Sequence, residues 1–530
     1  MRVKNVILFV GDGMGLTTVT ASRVHKKQKL DNFEALLSFD EFPASAMIRT
    51  DTANTQISES AAAATALFCG VKTNFENLGV DITADHEICN NIDSDTPSII
   101  SWAQNENLKT GFVTTTRITH ATPAALYAHS RRHMEDDSKI DTTCKDIARQ
   151  LIEDETGRRL NVIMGGGHRS FIPESESEGR RKDGRNLIKT WKNDHPNGEF
   201  VTDRWQMMNI SDDTEHVLGL FSSSHMKFNA DRDKEAEPSL AEMTKMAIKV
   251  LKRNNRNGFM LIVEAGKIDL AHHFNNAFRA LDDTLALDKA VEVAVKNVDL
   301  TNSLIIVTSD HSSPMIYSGY ATPKEHSILG MDKYLSNVDK RPYQLLMYSS
   351  GLGFENYQEN LAKSDHRNAY HKAAVPLTWA NHGGDDVPLY ATGSMSNLLF
   401  SGSLDQTYIP HAIAFAMCLF DYKDRCYGHV IDQRNEIIRG KKPSSIHLLK
   451  EELEKESFMQ QQKEIFKKEG NEIINKLDDE ILFSNVTDLD TVLTSDLVGN
   501  LSIQEGSKAS CCYLWKFLYL IINLVLINVR

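Results

Sequence analysis

Four continuous apolar runs punctuate the chain, and each ends in acidic, hydroxyl or imidazole side chains. Val6-Ile7-Leu8-Phe9-Val10 runs into Asp12, and Phe112-Val113-Thr114-Thr115-Thr116 leads to His120 and Thr122. Phe259-Met260-Leu261-Ile262-Val263 meets Glu264, and Leu304-Ile305-Ile306-Val307 meets Asp310 and His311. Runs without polar alternation suit strands buried on both faces, as in a parallel sheet. Helical patterns lie between them, over residues 240–251 and 277–295. The alternation predicts an α/β fold, a largely parallel central sheet with helices on both faces. Ligands in such folds bind beyond the carboxyl ends of the strands. One aspartate after a strand is ordinarily a turn residue, but four polar clusters after four strands point to a site.

Residues 55–70 carry a different pattern. Polar residues run into Ser60, and Ala61-Ala62-Ala63-Ala64 follows. Alanine is the strongest helix former, and Gly70 is a suitable stop. Ser60 is therefore predicted at or near a helix N-terminus, where free N–H groups and the dipole favour an anion. Such a serine can simply cap the helix. It can also attack phosphorus while the amides hold the phosphoryl oxygens. Residues 323–381 are less regular and carry Lys324, Lys333, Lys340, Lys363 and Lys372, which reads as an inserted lobe. Residues 447–480 are highly charged with helical propensity, as expected of a solvated helix or stalk.

A chain of 530 residues suits one large domain with additions. Its net charge of -13 argues against nucleic acid as a partner, which needs a basic face. No GxxxxGK(S/T) loop occurs, and Gly11-Asp12-Gly13-Met14-Gly15 does not fit GxGxxG. None of the 7 cysteines forms a CxxC pair, although Cys418 and Cys426 could bridge a short loop. Glycosylation sequons occur at Asn209, Asn485 and Asn500. At the start, the apolar run is broken too soon by Gly11-Asp12 for a signal peptide. At the other end, residues 517–529 are apolar but interrupted by Asn523 and Asn528. That stretch is shorter than the ~20 residues of a membrane span. Following Gly506, Ser507, Ala509 and Ser510, it fits the tail of a GPI signal.

Metal-binding chemistry is also legible. Asp269 and His273 stand at i and i+4, so a helix puts them on one face to grip one ion. Carboxylate with imidazole suits Zn²⁺, and Asp310-His311 adds a second mixed pair. Asp12, Thr122 and Glu264 offer only oxygens, which suits the harder Mg²⁺.

With these residues in view, the chain resembles the animal-type alkaline phosphatase family over residues 3–426. The motifs are Val10-Gly11-Asp12-Gly13-Met14-Gly15, Glu59-Ser60-Ala61, Thr115-Thr116-Arg117-Ile118-Thr119-His120-Ala121-Thr122-Pro123, Val263-Glu264-Ala265-Gly266-Lys267-Ile268-Asp269, Thr308-Ser309-Asp310-His311-Ser312 and Asn381-His382-Gly383-Gly384-Asp385-Asp386-Val387. They stand in the family order.

The resemblance implies the alkaline-phosphatase-like α/β fold, with a catalytic domain at 1–426 and a crown lobe at 323–381. A charged extension or stalk would follow at 427–505 and a GPI-type signal at 506–530. It implies hydrolysis of small phosphate monoesters through a phosphoserine at Ser60. One zinc ion would be held by Asp269, His273 and His382, the second by Asp12, Asp310, His311 and Ser60. Magnesium would take Asp12, Thr122 and Glu264, with His120 just outside its ligands. Arg132 matches the phosphate-gripping arginine, and because the loop is one residue short, Arg131 is the alternative. Disulfides Cys89–Cys144 and Cys418–Cys426, a free Cys69, a homodimer and a GPI anchor on the outer face of the plasma membrane are further implications. The family carries a secretory signal and a helical arm before the first strand, so the resemblance implies an incomplete gene model at the start.

Three departures stand out. Glu59 replaces the usual aspartate before the nucleophile, which bears on the support of the phosphate-binding arginine. Leu270 replaces a frequent histidine. Thr190 and Ser222 fall where the calcium site of vertebrate members has carboxylates, leaving only Glu237. Two rival readings remain: a phosphodiesterase or pyrophosphatase of the same superfamily, which typically lacks the arginine, and a catalytically inactive surface-binding protein, which predicts lost ligands.

Overall fold

The apolar runs become four neighbouring strands at the centre of a sheet. The computed structural model describes residues 2–84, 92–130, 144–354 and 365–423. Their strands are β1 (Asn5–Gly11), β2 (Ala44–Arg49), β3 (Lys109–Arg117), β4 (Val162–Gly166), β5 (Glu199–Val201), β6 (Val217–Leu220), β7 (Phe259–Ala265), β8 (Ser303–Thr308), β9 (Met315–Tyr317), β10 (Leu346–Gly351), β11 (Ala373–Pro376), β12 (Val387–Gly393) and β13 (Ser403–Asp405). Ten of them form one sheet in the order β13-β2-β12-β8-β1-β7-β3-β4-β6-β5. From β8 to β5 every pairing is parallel. Only β12 runs against its neighbours, β8 and β2. The largely parallel sheet expected from the sequence is therefore present.

Two apolar cores explain why the central strands show no alternation. Val6, Leu8 and Val10 of β1 face one side, where Ala61, Ala64 and Leu67 of the helix Ser60–Cys69 pack with Ile409 and Ile413 of Tyr408–Met417. Ile7 and Phe9 face the other side, against Met243 and Val250 of Leu240–Lys252 and Leu287 and Val291 of Ala277–Asn297. Both faces of each strand are thus covered, as a parallel sheet requires. The two helices expected at 240–251 and 277–295 form within two residues of those bounds. Ser239 and Glu242 make a capping box at the first, and Asn276 caps the second.

The expected lobe at 323–381 contains β10 and β11, which form a separate three-stranded sheet with β9. Because β9 precedes residue 323, this sheet starts ahead of the boundary expected from the sequence. Cys69 is free and buried, while Cys144 and Cys418 are disulfide-bonded. Asn209 is exposed at the end of the helix Arg204–Met208. Arg131, Arg132, Cys89, Cys426, Asn485, Asn500 and the segments expected as stalk and anchor signal lie outside the described residues. One contact unit, Met1–Asp432, holds everything described; the other, Gln433–Arg530, lies outside.

Phe9 is fully buried on the central strand that leads to Asp12. Phe9→Ala should destabilise the protein by about 3–5 kcal/mol, from lost burial plus the cavity left behind. Chemical denaturation of the purified protein measures this loss.

Candidate active site

The sheet register brings the polar clusters level. Val10 pairs with Glu264 on one side and Thr308 on the other, and Thr114 pairs with Glu264. Asp12, Glu264 and Asp310 consequently emerge at the same carboxyl edge. Two backbone contacts fix the turn after β1: Gly13 N–H donates to Asp310 Oδ1 (3.1 Å) and Met14 N–H to Ser309 Oγ (2.9 Å). Gly13 takes φ +67°, and a Cβ there would stand 2.7 Å from Asp269 Oδ1. Glycine is required here by both backbone conformation and space.

Asp12, Glu264, Asp269 and Asp310 are each at most 3% exposed. Among the described residues, histidines alone form ion pairs with them. Both carboxylate oxygens of Asp12, one each of Glu264, Asp269 and Asp310, and Thr122 Oγ1 are buried without a hydrogen-bond partner. The second oxygen of Glu264 is taken by Thr114 and Thr116 hydroxyls. Buried charge left this way is costly unless cations complete the set. Burial, followed by repulsion from Asp310 and Asp269, pushes Asp12 well above the usual carboxylate range. Burial pushes Glu264 up to about 8 and also raises Asp310. Asp269 goes the other way: burial would raise it, but His273, His382 and His311 outweigh that and lower it.

Three histidines are oriented by backbone carbonyls. The Nδ1–H groups of His273, His382 and His311 donate to Ala380 O (2.7 Å), Ser58 O (2.8 Å) and Ser312 O (3.1 Å). A carbonyl only accepts, so each Nδ1 carries the proton and each Nε2 is turned toward the carboxylates. His273 Nε2 is 2.8 Å from Asp269 Oδ2 and 3.3 Å from His382 Nε2. His311 Nε2 is 3.3 Å from Asp310 Oδ2 and 3.6 Å from Asp12 Oδ1. Burial, then His311, holds His382 down at about 4, whereas Asp269 raises His273 against the effect of burial.

Potential ligand atoms converge in three groups: Asp269, His311 and His382; Asp12, Asp310 and His311; and Asp12, His120 and Glu264. Within each, the atoms lie within 4.8 Å of one another. Asp12 joins the second and third groups. His311 stands between the first two, and His273 adjoins the first through Asp269 and His382. A ring nitrogen of His120 lies within 4.8 Å of carboxylate oxygens of Asp12 and Glu264. Donors of this kind and number fit divalent cations.

Ser60 does not cap its helix. Glu59 is the N-cap, and its carboxylate accepts from Ala61 N–H (2.6 Å), Ala62 N–H (2.8 Å) and Glu76 N–H (2.9 Å). The plain capping reading of Ser60 is thus replaced by one in which its hydroxyl is released, with Oγ 3.2 Å from His311 Nε2. The same contacts occupy the Ala61 and Ala62 amides, which therefore do not wait for phosphoryl oxygens. The Ser60 N–H donates to no group among the described residues.

Sequence reasoning missed two supports. His272 is fully buried, with Nε2 3.0 Å from Thr18 Oγ1 and Nδ1 3.0 Å from Tyr348 Oη, tying the helix Lys267–His273 to the helix Leu16–Leu30 and to β10. Trp379 packs on His273 with ring centroids 4.2 Å apart. An aromatic three residues before His382 was the available signal for Trp379. His272 had none beyond its place beside His273.

The profile of the alkaline phosphatase family matches residues 3–419. The chain belongs to the alkaline phosphatase family. The tissue-nonspecific alkaline phosphatase of Gallus gallus is 39% identical over 452 residues, 80% of this chain and 86% of that protein. The membrane-bound alkaline phosphatase of Bombyx mori is 38% identical over 447 residues, 79% of this chain and 80% of that one. Among solved structures, Thermus thermophilus alkaline phosphatase aligns with a TM-score of 0.59 at 23% identity, over 79% of this chain and 92% of that one, and supports the fold. The enzyme class is alkaline phosphatase, and phosphomonoester hydrolysis with metal dependence is the activity this membership supports.

Glu264 sets the sign of a pH effect in metal-free alkaline phosphatase. Its pKa in the fold, about 8, exceeds its ordinary 4.5. Its contribution to stability is full below pH 4.5 and lost as pH rises through 8. Asp12, Asp310 and His273 are raised too and act in the same sense. His382, held at about 4 against an ordinary 6.5, opposes this only below pH 6.5. The melting temperature of chelated enzyme should therefore fall most steeply from pH 6.5 to 8. Metal-saturated enzyme should lack this drop; scanning calorimetry across the window compares the two.

Proposed function

We propose that this alkaline phosphatase hydrolyses phosphate monoesters to alcohol and inorganic phosphate through a phosphoserine at Ser60. The observation that carries this reading is the Ser60 hydroxyl, freed from capping by Glu59 and held 3.2 Å from His311 beside an uncompensated carboxylate cluster. A serine with no structural duty, at a helix N-terminus facing buried charge, suits attack on phosphorus.

The donors support two zinc ions and one magnesium. Asp269, His273 and His382 would hold one zinc ion; Asp12, Asp310, His311 and Ser60 the other; Asp12, Thr122 and Glu264 the magnesium, with His120 beside it. Divalent cations so bound lower the pKa of a hydroxyl and stabilise charge developing on oxygen. Ser60 Oγ forms its bond to phosphorus as the bond to the ester oxygen breaks, and the alcohol leaves with a proton. Water then cleaves the Ser60–phosphorus bond, which restores the serine hydroxyl and releases phosphate. The equatorial oxygens need further donors, because Glu59 already occupies the Ala61 and Ala62 amides. A planar guanidinium fits that need, so Arg132 is proposed as the clamp, with Arg131 as the alternative.

The same reading extends to a homodimer on the outer face of the plasma membrane. Disulfides Cys89–Cys144 and Cys418–Cys426, glycosylation at Asn209, Asn485 and Asn500, and a GPI anchor replacing 506–530 belong to it. It is supported by the membrane-bound Bombyx mori relative and the apolar stretch 517–529. No helix among the described residues is long and apolar enough to cross a membrane. Release of activity from intact cells by phosphatidylinositol-specific phospholipase C tests the anchor.

Ser60→Ala should lower turnover of p-nitrophenyl phosphate by at least about a thousandfold and abolish acid-trapped phosphoserine, with little change in melting temperature. Wild-type-like turnover would sink the assignment. Arg132→Ala should weaken inorganic phosphate inhibition by about tenfold or more, since charge-assisted pairs contribute ~1.5–3 kcal/mol. If Arg131→Ala shows this effect instead, the clamp moves one residue. Chelation should abolish activity, and added zinc and magnesium should restore it.

A further inference from the structure

An aromatic series leads outward from the proposed nucleophile. His311, beside Ser60, stacks on His382 with centroids 3.7 Å apart at 16°. His382 lies 5.0 Å from His273, and His273 lies 4.2 Å from Trp379. Phe274 then meets the Trp379 ring edge-on at 5.1 Å and 73°. The Trp379 segment is pinned to the end of the ligand helix by two reciprocal bonds. Ala380 N–H donates to His273 O (3.1 Å), and His273 Nδ1–H donates to Ala380 O (2.7 Å). Despite this bracing, Trp379 is 42% exposed and Phe274 38%. Single exposed apolar side chains are ordinary, but here two fixed aromatic rings stand together at the mouth of a charged site.

In-line displacement sends the departing oxygen away from Ser60, and the row of rings that begins at His311 beside Ser60 ends at Trp379. The exposed side of Trp379 is therefore a surface that the departing group can meet. We propose that Trp379, braced by Phe274, is a specificity-determining residue on which a flat aromatic leaving group stacks, so that monoesters bearing such a ring are preferred. The inference rests on the phosphomonoesterase reading of this site. Because the indole is already held by His273 and Phe274, stacking requires little further ordering of the protein. The ring can be joined directly to the ester oxygen or carried on a sugar, and either presents the same face.

The test compares wild-type, Trp379→Ala and Trp379→Phe full-chain enzyme on phenyl phosphate, adenosine 5′-monophosphate and glycerol 2-phosphate. Zinc content and inhibition by inorganic phosphate are measured alongside. Trp379→Ala should lower kcat/KM for at least one aromatic ester about fivefold more than for glycerol 2-phosphate, chiefly through KM, as expected for one lost aromatic pair. The aromatic ester affected tells which attachment places the ring on Trp379. Phosphate inhibition and zinc content should hold, and Trp379→Phe should recover most of the loss. Equal losses on all three esters, with reduced zinc, would show that Trp379 merely holds His273 in place and would overturn the proposal. So would no loss on either aromatic ester. If wild-type enzyme cleaves none of the three, the phosphomonoesterase reading itself fails and takes this inference with it.

Discussion

Mutual repulsion among Asp12, Glu264, Asp269 and Asp310 is the constraint around which the site is built. The sheet register forces these carboxylates together: each follows or ends a strand, or begins the helix after it, at the same edge of the sheet. Burial removes the water that would otherwise screen them, and among the described residues no lysine or arginine pairs with any of the four. The histidines answer part of that charge, with three Nε2 atoms turned inward by carbonyls of Ala380, Ser58 and Ser312. The oxygens left without partners define where cations would complete the balance. Stability and metal binding are therefore linked in this protein.

The N-terminus of the helix Ser60–Cys69 divides its duties between two adjacent residues. Glu59 has the reach to bond two helix amides and the Glu76 amide beyond them. That frees the Ser60 hydroxyl but consumes the donors a helix N-terminus would otherwise offer an anion. The positive end of the dipole is already shared with a carboxylate. The glutamate that departs from the usual aspartate is thus bound into the helix start.

The row of rings from His311 to Trp379 has a buried end and an open one. The buried end, at His311 and Ser60, is held by strand ends that cannot move without disturbing two apolar cores. The outer end, at Trp379 and Phe274, is rigid but open. His272, bonded to Thr18 and Tyr348, joins the helix Leu16–Leu30, its own helix Lys267–His273 and strand β10.

The central strands, their parallel arrangement and the polar residues that gather at their carboxyl ends were legible in the chain, because uninterrupted apolar runs and polar residues at strand ends are local properties. Asp269 and His273 were legible as a pair for the same reason, since helical spacing alone puts them on one face. The residue that caps the helix was not legible. Serine is the commoner cap, and only the fold brings Glu76 to the far side of Glu59 and His311 to Ser60. His382 could be named only by resemblance, because a loop histidine becomes a ligand candidate only when Ser58 O turns its ring. His120 was placed beside the magnesium ligands by resemblance, and packing brings a ring nitrogen within 4.8 Å of Asp12 and Glu264. Trp379 gained its meaning entirely from tertiary contact with a helix more than a hundred residues earlier in the chain. Periodicity records which side of an element is buried; which buried groups meet is decided by long-range packing, and in this protein that packing makes the site.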